Sequence, residues 1–149
     1  MKEIEEYLGR VLVPREEIRK MVADLGARIT NDYRGKELFL IGVLKGGFMF
    51  LADLVREIRI PVELDFISVS SYGSSTKSSG IVQLIKDVDV PLNEKHVIIV
   101  EDIIDTGLTL TYLKDLLSAR NPLSVKICTA FDKPSRRKVD LKAEYTGIT

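Results

Sequence analysis

The sequence predicts an α/β protein with a mostly parallel, twisted sheet flanked by helices. Three observations predict it. Apolar runs of strand length, at Glu37–Leu44 (ELFLIGVL), Val97–Val100 (VIIV) and Ser124–Phe131 (SVKICTAF), lack the polar alternation of a sheet with one wet face, so they read as strands covered on both sides. Between them apolar residues recur at helical spacing: Ile18, Met21, Val22, Leu25 and Ile29, then Phe48, Leu51, Leu54 and Val55, then Leu110, Leu113, Leu116 and Leu117. The residues able to do chemistry gather where those strands end, which is where open α/β sheets bind ligands.

Taken in order, Pro14 to Gly35 reads as one packing helix, with Pro14 at its first turn and Gly35 as a C-terminal cap. The strand Glu37–Leu44 runs into Lys45-Gly46-Gly47, a cation and two glycines, before the second helix. Val62–Ser70 reads as a third strand. In Ser70–Gly80 six of eleven residues are serine and two are glycine, which leaves little apolar area to hold the segment down and predicts a flexible loop. Ile81–Asp87 resumes a strand, so the loop is expected to be the tip of a long hairpin. The connections from Leu38 to Ile67 and from Val97 to Thr129 are expected to be right-handed crossovers.

The segment His96–Thr111 (HVIIVEDIIDTGLTLT) carries the strongest signal. A buried strand is followed by Glu101 and Asp102, then by the turn Asp105-Thr106-Gly107-Leu108-Thr109, then by a helix. Unpaired N–H groups and the dipole at a helix N-terminus favour an anion such as a phosphate. Gly107 lets the backbone approach closely, and Thr106 and Thr109 add hydroxyl donors. Glu101 and Asp102 cannot hold phosphate, but they suit sugar hydroxyls or a hard cation such as Mg²⁺. Asp105 alone would read as a helix cap. Three carboxylates within five positions of an apolar segment are costly to bury unless paired or ligated.

Composition bounds the rest. With 149 residues, 45% hydrophobic and 30% charged, the chain is expected to form one domain over 1–149. Lys plus Arg equals Asp plus Glu at 22 each, which leaves no net field to attract nucleic acid. The single cysteine, Cys128, lies in an apolar run, and one thiol cannot form an internal disulfide; a reducing compartment is expected. The charged N-terminus (KEIEEYLGR) does not read as a signal peptide, and the longest apolar runs are strand-sized, so no membrane association and a cytoplasmic location are expected.

The spelling EDIIDTGLT at Glu101–Thr109 resembles the phosphoribosyl-diphosphate signature of the type I phosphoribosyltransferases, in the form found in the hypoxanthine-guanine (6-oxopurine) branch. The resemblance spans nearly the whole chain and has three specific motifs. It implies a type I phosphoribosyltransferase-like fold with a flexible-loop hairpin. It implies transfer of a 5-phosphoribosyl group from its 1-diphosphate to hypoxanthine or guanine, giving IMP or GMP and pyrophosphate. Carried over, Thr106–Thr109 hold the 5-phosphate, while Glu101 and Asp102 position the ribose and Mg²⁺. Asp105 handles the proton at N7 of the base. Lys45 and Gly46 form the pyrophosphate loop, where the family often has a cis peptide at the position of Leu44–Lys45. Ser71-Tyr72 match a loop that closes over substrate, Lys133 donates to the 6-oxo group, and Arg137 supports the pyrophosphate. The implied partners are a purine base and 5-phosphoribosyl 1-diphosphate, in a homodimer or homotetramer.

One departure stands out. Family members continue past the position of Thr149 with residues that stack on and bond the base, so the C-terminal base-binding segment is expected to be absent and the phosphoribosyl half of the ligands to be held better than the purine is turned over. Two other functions compete. A pyrimidine phosphoribosyltransferase or regulator would need no acid like Asp105, because its base has no N7. A non-catalytic phosphoribosyl-diphosphate-binding module would keep the phosphate loop without base chemistry.

Overall fold

The computed structural model describes residues 3–70 and 82–149. After a 3-10 turn at Ile4–Tyr7 come α1 (Arg15–Asp32), β1 (Leu38–Val43), α2 (Phe48–Arg56), β2 (Val62–Val69), β3 (Leu84–Lys86), β4 (His96–Ile104), α3 (Leu108–Ser118), β5 (Ser124–Asp132) and β6 (Tyr145–Ile148), with a second 3-10 turn at Pro134–Arg136. The strands form one sheet in the order β3-β2-β1-β4-β5-β6. Every pairing is parallel except β2 with β3.

Alternate residues of the central strands feed two cores. Leu38 and Leu40, Ile98 and Val100, and Cys128 and Ala130 pack with the α1 and α2 side chains Leu25, Ile29, Leu51 and Leu54. Phe39, Ile41 and Val43, Val97 and Ile99, and Ile127 pack on the other face with Leu110, Leu113 and Leu117 of α3. Burial on both faces is why these strands carry no polar alternation; all six residues of β1 are buried. Cys128 belongs to the first core, where burial pushes its thiol up to about 12, so it packs as an inert side chain. Among the described residues no helix is long and apolar enough to cross a membrane.

The topology positions the site. From β1 the chain steps through α2 to β2; from β4 it steps the opposite way, through α3 on the opposite face, to β5. Reversing both direction and face gives the two crossovers one hand. The reversal falls between the adjacent strands β1 and β4, so their carboxyl ends flank the crevice where such sheets take ligands.

Several boundaries differ from the sequence reading. Pro14 is extended and caps α1 from outside, and the helix ends at Asp32 with the Tyr33 N–H bonded to Ile29 O. Gly35 (φ 73°) instead serves the following turn, closed by Lys36 N–H to Tyr33 O at 3.0 Å. β3 is only three residues long, and Ile81 lies outside the described residues. β4 runs on through Ile104, so Glu101 and Asp102 stand on the strand and not after it. The edge strand β6 was not anticipated. Tyr145 is buried beneath α1, its hydroxyl donating to Asp32 at 2.6 Å, and a Cβ at Gly147 would meet Ala130 O and Met21 Sδ at 2.5 Å each. Four residues with a glycine among them carry too short a pattern to announce a strand.

Candidate active site

The crevice at the ends of β1 and β4 holds a cavity of about 250 Å³. Gly46, Glu101, Asp102, Asp105, Thr106, Gly107 and Thr109 line it, together with Val43, Leu44, Val69, Ile103, Ile104 and Leu110. The polar members are those the sequence singled out. The apolar ones were missed as site residues because strand residues of this kind read as core, and only the place where each strand stops decides that they face a cavity.

The floor is built by the turn into α3. Gly107 has φ 84°, the left-handed region that favours glycine, and it caps the helix. Added bulk would also collide there, since a Cβ at Gly107 would lie 3.0 Å from both Arg137 Cδ and Val139 Cγ2. Beyond this turn the first helical hydrogen bond is Thr111 N–H to Gly107 O at 3.0 Å. Among the described residues, the N–H groups of Thr106, Gly107, Thr109 and Leu110 have no backbone or side-chain acceptor. Free N–H groups and a helix N-terminus make an anion cradle. Thr106 Oγ1 takes only a long contact from Leu108 N–H, at 3.4 Å.

The opposite wall is acidic. Asp102 N–H donates to Glu101 Oε1 at 3.0 Å and Ile103 N–H to Asp102 Oδ1 at 2.8 Å. Burial, with the Asp102 carboxylate beside it, raises the Glu101 pKa to about 9. Among the described residues no three His, Cys, Asp or Glu side chains gather as a metal site. Two adjacent carboxylates nonetheless fit Mg²⁺, which takes one or two protein carboxylates and completes its shell with water and substrate phosphate.

Lys45 follows a cis peptide, Leu44–Lys45, as the sequence resemblance implied. Lys45 is exposed and lies outside the cavity lining, whereas Gly46 is pressed against Asp102. Gly47 is equally tight, since a Cβ there would sit 2.8 Å from Val43 O and 3.0 Å from Val100 O, so the loop crosses directly over the ends of β1 and β4. Leu108 opens α3 without lining the cavity. Lys133 is exposed, its N–H bonded to Ile104 O at 2.9 Å, which ties its loop to the end of β4. Arg137 is ion-paired with Asp132 and packs on Gly107. Ser71 and Tyr72 lie outside the described residues. Arg136, not singled out from the sequence, places its Nε 2.6 Å from Asp105 Oδ1. No local pattern distinguishes it from Arg137; only the turn after β5 decides which arginine meets the carboxylate.

This fold and site define the class: the chain belongs to the phosphoribosyl transferase domain family, whose model matches residues 13–149. Within it the similar proteins act on purine bases by name. A hypoxanthine phosphoribosyltransferase of Salmonella typhimurium is 47% identical over 146 residues, covering 97% of this chain and 82% of the relative. A hypoxanthine-guanine phosphoribosyltransferase of Bacillus subtilis is 50% identical over 141 residues, covering 95% of this chain and 78% of the relative. The crystal structure of a hypoxanthine phosphoribosyltransferase from Staphylococcus aureus superposes with a TM-score of 0.92 at 43% identity, covering 99% of this chain and 81% of that one.

Proposed function

We infer that this chain is a hypoxanthine-guanine phosphoribosyltransferase of purine salvage. It transfers the 5-phosphoribosyl group from 5-phosphoribosyl 1-diphosphate to N9 of hypoxanthine or guanine. The observation that carries the reading is that one cavity is lined by an anion cradle at Thr106, Gly107 and Thr109, by the neighbouring acidic side chains Glu101 and Asp102, and by a further carboxylate, Asp105.

In the reaction the N9–C1′ bond forms, the C1′–O bond to the diphosphate breaks, and pyrophosphate leaves with the electron pair. Positive charge develops on the sugar as that bond lengthens, as in other glycosyl transfers. The free N–H groups of Thr106, Gly107, Thr109 and Leu110 with the threonine hydroxyls hold the 5-phosphate and fix the sugar. Glu101 and Asp102 take the ribose hydroxyls and would hold Mg²⁺, which when bound neutralises charge on the departing diphosphate. Asp105 accepts the proton that N7 loses as N9 attacks. Lys45 and Gly46 cradle the pyrophosphate. Lys133 donates to the 6-oxo group, which disfavours a 6-amino purine because the cation would be left unpaired. Ser71-Tyr72 close over the bound pair and keep water from hydrolysing the donor. We read residues 1–149 as a single domain in the cytoplasm. The exposed apolar residues Ile4, Tyr7, Leu8, Val11 and Leu12 support association with a second copy.

The test is nucleotide formation from the donor with hypoxanthine, guanine, xanthine, adenine and uracil. The reading expects product with the first two and none with adenine or uracil. Product with uracil, or none with any base despite donor binding, would overturn it.

A further inference from the structure

We propose that Arg136 is a positioning residue for the catalytic carboxylate: it pins Asp105 Oδ1 and thereby leaves Oδ2 as the oxygen presented to the base. The proposal rests on the reading of Asp105 as acceptor of the N7 proton.

The turn carrying Arg136 is clamped over Asp105 from both sides. Lys133 N–H donates to Ile104 O at 2.9 Å and Lys138 N–H to Thr106 O at 2.9 Å, so the backbone of the 133–138 segment is fastened to the residues immediately before and after Asp105. The 3-10 turn Pro134–Arg136 closes between those two bonds, with Arg136 N–H to Lys133 O at 3.1 Å. The neighbouring arginines then divide the work. Arg137 pairs with Asp132 and lays its stem on Gly107, whereas Arg136 brings Nε to 2.6 Å from Asp105 Oδ1.

The surroundings of Asp105 make this contact matter. Oδ1 is buried and, among the described residues, has no aligned hydrogen-bond donor. Among the described residues the guanidinium of Arg136 is the one cation within ion-pair distance of it, and an uncompensated buried carboxylate oxygen is costly. The side chain as a whole remains 46% exposed and lines the cavity, so its accessible oxygen is Oδ2. A carboxylate free to rotate would offer either oxygen in many orientations. One anchored through Oδ1 offers Oδ2 in a single direction, and proton transfer is sensitive to such alignment. Arg136 is itself 63% exposed, so its removal leaves no cavity in the core.

The experiment is a double-mutant cycle on the intact chain, with steady-state kinetics for hypoxanthine and thermal melting of each variant. Arg136→Met is expected to melt like wild type, to lower kcat about 10- to 100-fold through lost alignment, and to leave the KM for the phosphoribosyl donor unchanged. Arg136→Lys should recover most of the loss, because an ammonium can still reach one oxygen. In the Asp105→Asn background, Arg136→Met should cost nothing further, since its effect passes through the carboxylate. An unchanged or raised kcat in Arg136→Met, or an equal loss in the Asp105→Asn background, would overturn the proposal. Wild-type turnover in Asp105→Asn would overturn the reading of Asp105 together with it, whereas loss in Asp105→Asn and none in Arg136→Met overturns this proposal alone.

Discussion

Gly46 and Asp102 are packed so closely that a Cβ on the glycine would lie 2.8 Å from Asp102 Oδ2 and 3.1 Å from Cγ. The loop after β1 and the carboxylate on β4 therefore form one continuous surface, which a diphosphate and its cation could span. Only a residue without a side chain lets the loop rest there with Asp102 in its present place. Gly46→Ala is expected to leave the fold intact, because the short Asp102 side chain can swing aside. The displaced carboxylate should then cost up to about 10²-fold in kcat/KM at saturating Mg²⁺. Kinetics beside a melting curve check this; a variant with wild-type kinetics would show that Asp102 does not need its place.

Glu101 gives a pH signature. Its folded pKa of about 9 stands above the ordinary 4.5 because burial, then the neighbouring Asp102, disfavours the charge. The folded chain keeps a proton that the unfolded chain loses, so the contribution of Glu101 to stability is largest below about pH 4.5 and fades as pH rises towards about 9. Glu101→Gln, which cannot ionise, should flatten the fall of melting temperature between pH 6 and 9 that is due to this group. Parallel curves for the two proteins would mean that Glu101 is charged in the free site.

The pairing of α3 with the hairpin gives the opposite sign. Arg120, in the turn that follows α3, grips Asp87 with two hydrogen bonds of 2.7 Å, and that guanidinium holds the Asp87 carboxyl below the usual carboxylate range. The stabilisation is present above the unfolded carboxylate pKa and is lost as pH falls through the lower folded value. Both side chains are partly exposed, so the pair is worth about 1 kcal/mol after solvent screening. Arg120→Met is expected to lower the melting temperature by about 2–4 °C at pH 7. The gap should close towards pH 3 in thermal denaturation followed by circular dichroism. A gap that persists in acid would assign the loss to packing of the arginine stem.

The central motif was legible because its chemistry is local. Asp105, Thr106, Gly107 and Thr109 sit in one turn, and the strand before them and helix after them announce themselves by period. The reach of β4 was not legible, since Glu101 and Asp102 break the apolar run although their backbones stay in the ladder with β5 at Glu101–Thr129. Polar residues at a strand's open end look like loop to any pattern of burial. β6 escaped because its burial depends on α1 lying over it and on β5 pairing beside it, a tertiary fact. Arg136 escaped for the same reason: two successive arginines differ only in which way the turn after β5 points them.

If Asp105 takes the N7 proton, kinetics of Asp105→Asn show it most directly. IMP formation from hypoxanthine should be measured beside calorimetric binding of 5-phosphoribosyl 1-diphosphate. The expected result is a kcat lower by about 10²–10⁴-fold with donor affinity unchanged, because the proton moves only as the base reacts. A kcat within a few-fold of wild type would contradict that role and leave Asp105 as a carboxylate that only orders the turn into α3.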